Sequence, residues 1–209
     1  MTITIAWFSP EQILFVADKF TYTIPNAILK PFLNGSKQIT HQNMKKIVMK
    51  AEQTTPKIHK LSKNKGIIFG GLRTLEDAIQ KLNPRKNLTK QIVEKLKQHK
   101  EKTKWSCIIG SYKKKRCECI HIIYINGNVQ TRQITNRINE GITIDAFSTE
   151  IMELFKLKYV HLLLLSTTLE EQIQTFKQFF CEITTLFEGL AGGEPQIAKI
   201  DKKGFQWVN

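Results

Sequence analysis

Lys113, Lys114, Lys115 and Arg116 follow one another directly after Tyr112, and Arg132 and Arg137 come further along the chain. Consecutive cations neutralise phosphates, and a neighbouring ring can stack on an unpaired base. Lys45, Lys46, Lys50, Lys63 and Lys65 extend the same chemistry towards the N-terminus. Lys-rich tips also serve to keep strand edges from pairing and a protein in solution, with no ligand at all. Arg contributes only five of the 32 basic residues. Point-charge contact with phosphate is therefore favoured over bidentate reading of base edges.

A second constellation is Cys117, Cys119 and His121, which alternate along one segment, with Cys107 upstream. Their types suit zinc, but alternate residues of a strand spread ligands over roughly 13 Å, too far to converge on one ion. Cysteines buried as small apolar side chains are the simpler expectation. Neither a metal nor another cofactor is expected, and the remaining histidines (His41, His59, His99, His161) are scattered without a serine and acid partner.

Charge is the unusual global quantity. The 209 residues carry a formal net charge of +14. Between Lys37 and Arg116 there are 22 basic residues against five acidic ones, so the positive field belongs to the middle of the chain. That balance favours nucleic acid, an acidic protein or an anionic surface as partner. No helix joins a strongly basic face to a large apolar one, which argues against a membrane surface. Four cysteines are too few for a secreted disulfide framework, and the N-terminus lacks the basic region and cleavage site of a leader. An intracellular location, cytoplasm or nucleus, is the expectation. The densest apolar run, Tyr159 to Leu165, is well short of the roughly 20 residues that span a bilayer.

The elements that must position these groups read as a mixed α+β chain. Thr2 to Trp7 alternates as a strand. Ser9, Pro10 and Gln12 supply the cap, first-turn proline and capping-box residue of a helix through about Phe20. Pro25 to Leu33 and His41 to Gln53 read as further helices, a pair superficially like a helix-turn-helix. Residues 54–66, with four Lys among Thr, Pro, Ser and Gly, read as a linker or mobile loop between an N-terminal region, 1–53, and a core, 67–209. Ile67 to Phe69 is a short strand, followed by Gly70-Gly71 and a helix capped by Thr74. Leu88 to Lys100 is an amphipathic helix. Three antiparallel strands follow: Trp105 to Tyr112, Arg116 to Ile125 and Val129 to Thr135, the second pair joined by an Asn126-Gly127 turn. Then come a helix from Ala146 to Leu157 capped by Asp145, a strand Tyr159 to Leu165, and a long helix opened by the Thr168/Glu171 capping box. A strand pair, Gln196 to Ile200 and Phe205 to Val208, closes the chain.

From Trp105 the order, a three-stranded meander followed by α-β-α-β, is similar to the ribonuclease H and retroviral integrase architecture. The likeness is one of topology over about half the chain. It implies a nuclease with clustered carboxylates holding two metals, usually beginning with an Asp in the first strand. Ser106 to Tyr112 contains no acid, and only Glu118, Glu150 and Glu153 remain. The sequence therefore favours a non-catalytic nucleic-acid-binding accessory protein that contacts phosphates through its Lys-rich middle section. A subunit of a larger assembly, with Phe205 and Trp207 at an interface, is the first alternative, and a metal-dependent nuclease the second.

Overall fold

Thr4–Phe8 and Ile13–Ala17 form β1 and β2, and every residue of both is buried. A strand with no exposed side has to be covered on both faces, and β-branched and aromatic residues supply that cover. In the computed structural model, which describes residues 3–23, 50–53, 56–70, 79–83, 86–99, 104–134, 141–146, 149–186 and 194–208, the two strands sit inside a five-stranded antiparallel sheet of order β10-β1-β2-β11-β12. Its other members are β10 (Gly141–Asp145), β11 (Gln196–Asp201) and β12 (Gly204–Val208). A second antiparallel sheet has the order β5-β6-β7-β8-β9, from Ile58–Ser62, Lys65–Gly70, Lys104–Lys113, Arg116–Ile125 and Asn128–Ile134. A small ladder pairs β3 (Phe20–Thr23) with β4 (Lys50–Gln53).

The sheets stack face to face between two helical layers. Ala6, Phe8, Ile13 and Phe15 meet Ile58, Ile68, Ile108 and Cys119 between the sheets. Ile5, Trp7, Leu14 and Val16 point the other way, against Ile151 of α2 (Thr149–Leu154), Leu163 of α3 (Val160–Leu165) and Phe176 and Phe180 of α4 (Leu169–Leu186). On the far side Ile67, Phe69, Trp105 and Tyr124 receive Leu88, Ile92 and Leu96 of α1 (Leu88–Gln98). Asn87 caps α1 by accepting the Lys90 N–H at 3.1 Å. Asn87→Ala is expected to lower stability by about 1 kcal/mol in chemical denaturation, the usual worth of such a cap.

The mixed α+β order with α-β-α-β after the meander is overturned: the chain is built mainly of two antiparallel five-stranded sheets, not the ribonuclease H arrangement. Residues 104–134 do form three successive antiparallel strands, but Tyr159 to Leu165 is helical. Phe155–Tyr159 makes a π-helical turn that runs into α3. A short apolar run does not distinguish strand from helix. Here the i, i+4, i+8 set Phe155, Tyr159 and Leu163 is buried while Leu164 and Leu165 are exposed, a helical pattern that straddles the break expected near Leu157.

The helix expected through Phe20 is β2 instead. The Ser9 hydroxyl accepts the Glu11 and Gln12 N–H groups in a tight turn, so the capping signals close a hairpin, and the unbroken apolar run after them fills a buried strand. Gly141–Asp145 is a strand pairing with β1, so the backbone of Asp145 ends β10, and the helix expected from Ala146 is described from Thr149. Lys50 to Gln53, expected as the end of a helix from His41, form β4; residues 41–49 of that helix, the one expected at Pro25 to Leu33 and the turn of the helix-turn-helix comparison lie outside the described residues. Within the stretch read as a linker, β5 and the start of β6 form a hairpin whose alternating Ile58-His59-Lys60 pattern buries one face. Among the described residues no helix is long and apolar enough to cross a membrane.

Candidate functional site

Two places concentrate charge, at opposite ends of the strands. At the first, three hairpin turns converge. Lys63 and Asn64 join β5 to β6, Lys114 and Lys115 join β7 to β8, and Lys202 and Lys203 join β11 to β12. Backbone hydrogen bonds tie them together: the Phe205 N–H donates to the Lys63 carbonyl at 2.6 Å and the Tyr112 N–H to the Asn64 carbonyl at 3.0 Å. Gly204, at φ +105°, makes the first contact possible, because a Cβ there would stand 2.5 Å from the Lys63 carbonyl oxygen. Gly204→Ala is expected to cost about 1–3 kcal/mol in a denaturation midpoint measurement, the cost of a forced backbone conformation.

A cleft of about 680 Å³ opens between these turns, lined by Asn64, Tyr112, Lys113, Lys114, Arg116, Glu118 and Lys202. Lys65 pairs with Ser111 beside it, and its ammonium pKa is held down by partial burial and by the charge of Lys113. Arg116 lies 3.8 Å from Glu118, and Lys199 2.9 Å from Asp201. The sequence singled out Tyr112, Lys113, Lys114, Lys115, Arg116, Lys63 and Lys65, and the fold gathers them. It did not single out Lys202, which lines the cleft only because the C-terminal hairpin docks on the β5–β6 turn, or Lys203 beside it. Arg132 is on β9 opposite His121, away from the tips. Lys50 is in β4, paired with Thr23. Lys45, Lys46 and Arg137 lie outside the described residues.

The second place was missed by sequence reasoning. Asp18, directly after β2, and Lys57, directly before β5, form an ion pair at 2.7 Å with side chains 1% and 3% exposed. The same Asp18 oxygen, Oδ1, accepts the Ile3 N–H at 2.8 Å, and the Asp18 N–H returns a bond to the Ile3 carbonyl at 3.2 Å. The Lys57 backbone is pinned as well, its N–H donating to Gln196 Oε1 at 3.0 Å and its carbonyl accepting from Phe69. A buried cation is thus held within two hydrogen-bond lengths of the Ile3 N–H, just before β1. The sequence signal was a charge ending a wholly apolar five-residue strand; its partner, 39 residues away, gave none.

No known family profile matches the chain, and no curated protein matches it significantly. Function therefore has to be read from these residues themselves.

The metal constellations come apart. Cys117 and Cys119 face the space between the sheets, whereas Cys107 faces α1 on the opposite side of the second sheet. Burial pushes the Cys117 thiol up to about 12, with Asp201 adding to the rise, and pushes Cys107 and Cys119 up as well, so the three stay protonated as apolar side chains do. Glu118 stands at the basic tips, while Glu150 and Glu153 belong to the helical layer behind the first sheet. No group of three or more metal-compatible side chains occurs among the described residues. Phe205 is packed into the core between the sheets, and Trp207 stands edge-on to it, half exposed.

Proposed function

We propose that the chain is a hydrolase of amide or ester bonds whose nucleophile is Thr2, served by the buried Asp18–Lys57 pair. The observation that carries this is the single Asp18 oxygen shared by the Lys57 ammonium and the Ile3 N–H. Ionic groups in a protein interior cost several kcal/mol each to desolvate, and apolar residues in their place are often as stabilising. A buried pair that apolar residues could replace without loss of stability is therefore a candidate for a role in function. Thr2 lies outside the described residues; its residue type and its bond to Ile3 are what bear on the chemistry.

A threonine hydroxyl is a weak nucleophile until a base takes its proton, and a free α-amine on the same residue is a known base for it. Hydrolysis of the peptide bond preceding Thr2 supplies that amine. The amine then accepts the hydroxyl proton as Oγ attacks the substrate carbonyl carbon. The tetrahedral oxyanion collapses, and the leaving amine or alcohol departs with the proton. Water, deprotonated by the same amine, attacks the acyl ester on Thr2 and frees the acid. Lys57 supplies a fixed positive charge towards the developing negative oxygen, a preorganised form of stabilisation that water cannot match. Asp18 holds Lys57 in place and, through the Ile3 N–H, fixes the start of β1 against it.

The test is mass spectrometry of the purified chain before and after exposure to a β-lactone acylating probe. The expected result is a species beginning at Thr2 that gains one acyl group, mapped to Thr2. A chain with a free Thr2 amine that takes up no acyl group would overturn the proposal.

Leu157, 85% exposed, with Leu164 and Leu165 on the same helical layer, favours a second reading compatible with the first: the chain works as a subunit of a larger assembly, burying that layer. Light scattering is expected to give a mass above the monomer, and Leu157→Lys with Leu165→Lys to return it to the monomer.

A further inference from the structure

Apart from the hydrolase reading, we infer that the cleft between the three hairpin turns binds single-stranded nucleic acid, with Lys113, Lys114 and Lys202 on phosphates and Tyr112 stacked on a base. Among the described residues, Lys63, Lys113, Lys114, Lys115, Lys202 and Lys203 enter no ion pair. All six are exposed at one end of the molecule. Glu118 in the lining and Asp201 beside Lys203 offset part of this charge, and the excess of cations draws anions. A polyanion relieves it at several points at once, whereas a lone phosphate meets only part of it.

The turn itself bears on this. Lys114 and Lys115 both have positive φ, +48° and +64°, the pair of conformations that a two-residue hairpin turn normally assigns to Asn and Gly. The next hairpin, at Asn126 (φ +49°) and Gly127 (φ +93°), makes the usual choice. Two lysines at strained positions amount to local strain held for the charges presented, as at other binding sites. The cleft volume is in the range of a small-ligand site, room for one or two nucleotides of a single strand. Tyr112, half-buried in the wall, offers the kind of stacking platform that single-strand binders combine with a basic track. Cations carried mainly by Lys give contact without sequence preference.

The experiment is fluorescence anisotropy of a labelled single-stranded oligonucleotide against the full chain, with a duplex and polyglutamate as competitors. Affinity is expected to fall at least tenfold between about 50 and about 200 mM salt, because each neutralised phosphate releases counterions. Lys113→Glu with Lys114→Glu and Lys202→Glu is expected to weaken binding at least tenfold and flatten the salt response. Lys90→Glu with Lys95→Glu and Lys97→Glu on α1, an equal charge change elsewhere on the surface, leaves it within twofold. Tyr112→Leu weakens the single strand several-fold and the duplex hardly at all. No binding near 50 mM salt, equal loss from the α1 variant, or displacement by polyglutamate as effective as by the oligonucleotide would overturn the inference, the last in favour of an acidic protein partner.

Discussion

In Asp18→Ala the unfolding free energy from a urea titration is expected to fall by about 3–5 kcal/mol, the cost of taking the countercharge from a buried ion pair. Asp18 serves Lys57 and the Ile3 N–H with one oxygen, so its removal takes the carboxylate from a buried ammonium and the acceptor from a backbone donor together. In a chain of this size that corresponds to a drop in melting temperature of roughly 10 °C, taking about 2–4 °C per kcal/mol. The informative companion is the double variant Asp18→Leu with Lys57→Met, which removes both charges and roughly conserves volume. Its stability is expected to lie within about 2 kcal/mol of the parent, as replaced buried pairs commonly do. If the pair only braces β1, β2 and β5, the double variant also keeps all acyl uptake at Thr2. If the pair serves catalysis, it folds and is inactive. Fold and function are thus separated in one protein.

Thr2→Ala is expected to lower acylation and hydrolysis by at least about 10³-fold, the scale on which removal of a nucleophile acts. Loss of activity with the urea midpoint unchanged separates loss of the nucleophile from loss of the fold. Thr2→Ser, which keeps a hydroxyl, retains measurable turnover. The pH profile gives an independent check. The base has to be neutral to accept a proton, so kcat/KM rises with pH through the amine's pKa, about 7.7–8.0 in an unperturbed chain terminus. A rate that rises instead through the carboxylate range would assign the base to an acid and end the role given to the Thr2 amine.

The sequence by itself determined the local elements with a single dominant period. The alternation in Arg116–Ile125 and the Asn126-Gly127 turn specify a strand and a hairpin wherever they are placed, and Leu88, Ile92 and Leu96 recur at helical spacing. It also determined the cations at the β7–β8 turn, since consecutive lysines are charged in any fold. Runs apolar in every position, Ile13–Ala17 and Tyr159 to Leu165, were beyond it, because a segment buried on all sides carries no period to separate strand from helix. Only the tertiary structure decided between them, by placing one between two covered faces and the other on the Phe155 stripe. Tertiary structure alone also joined Lys202 to the basic cleft and Lys57 to Asp18. Pairings across such separations depend on how sheets stack and hairpins dock, and neither residue's neighbours in sequence register that contact.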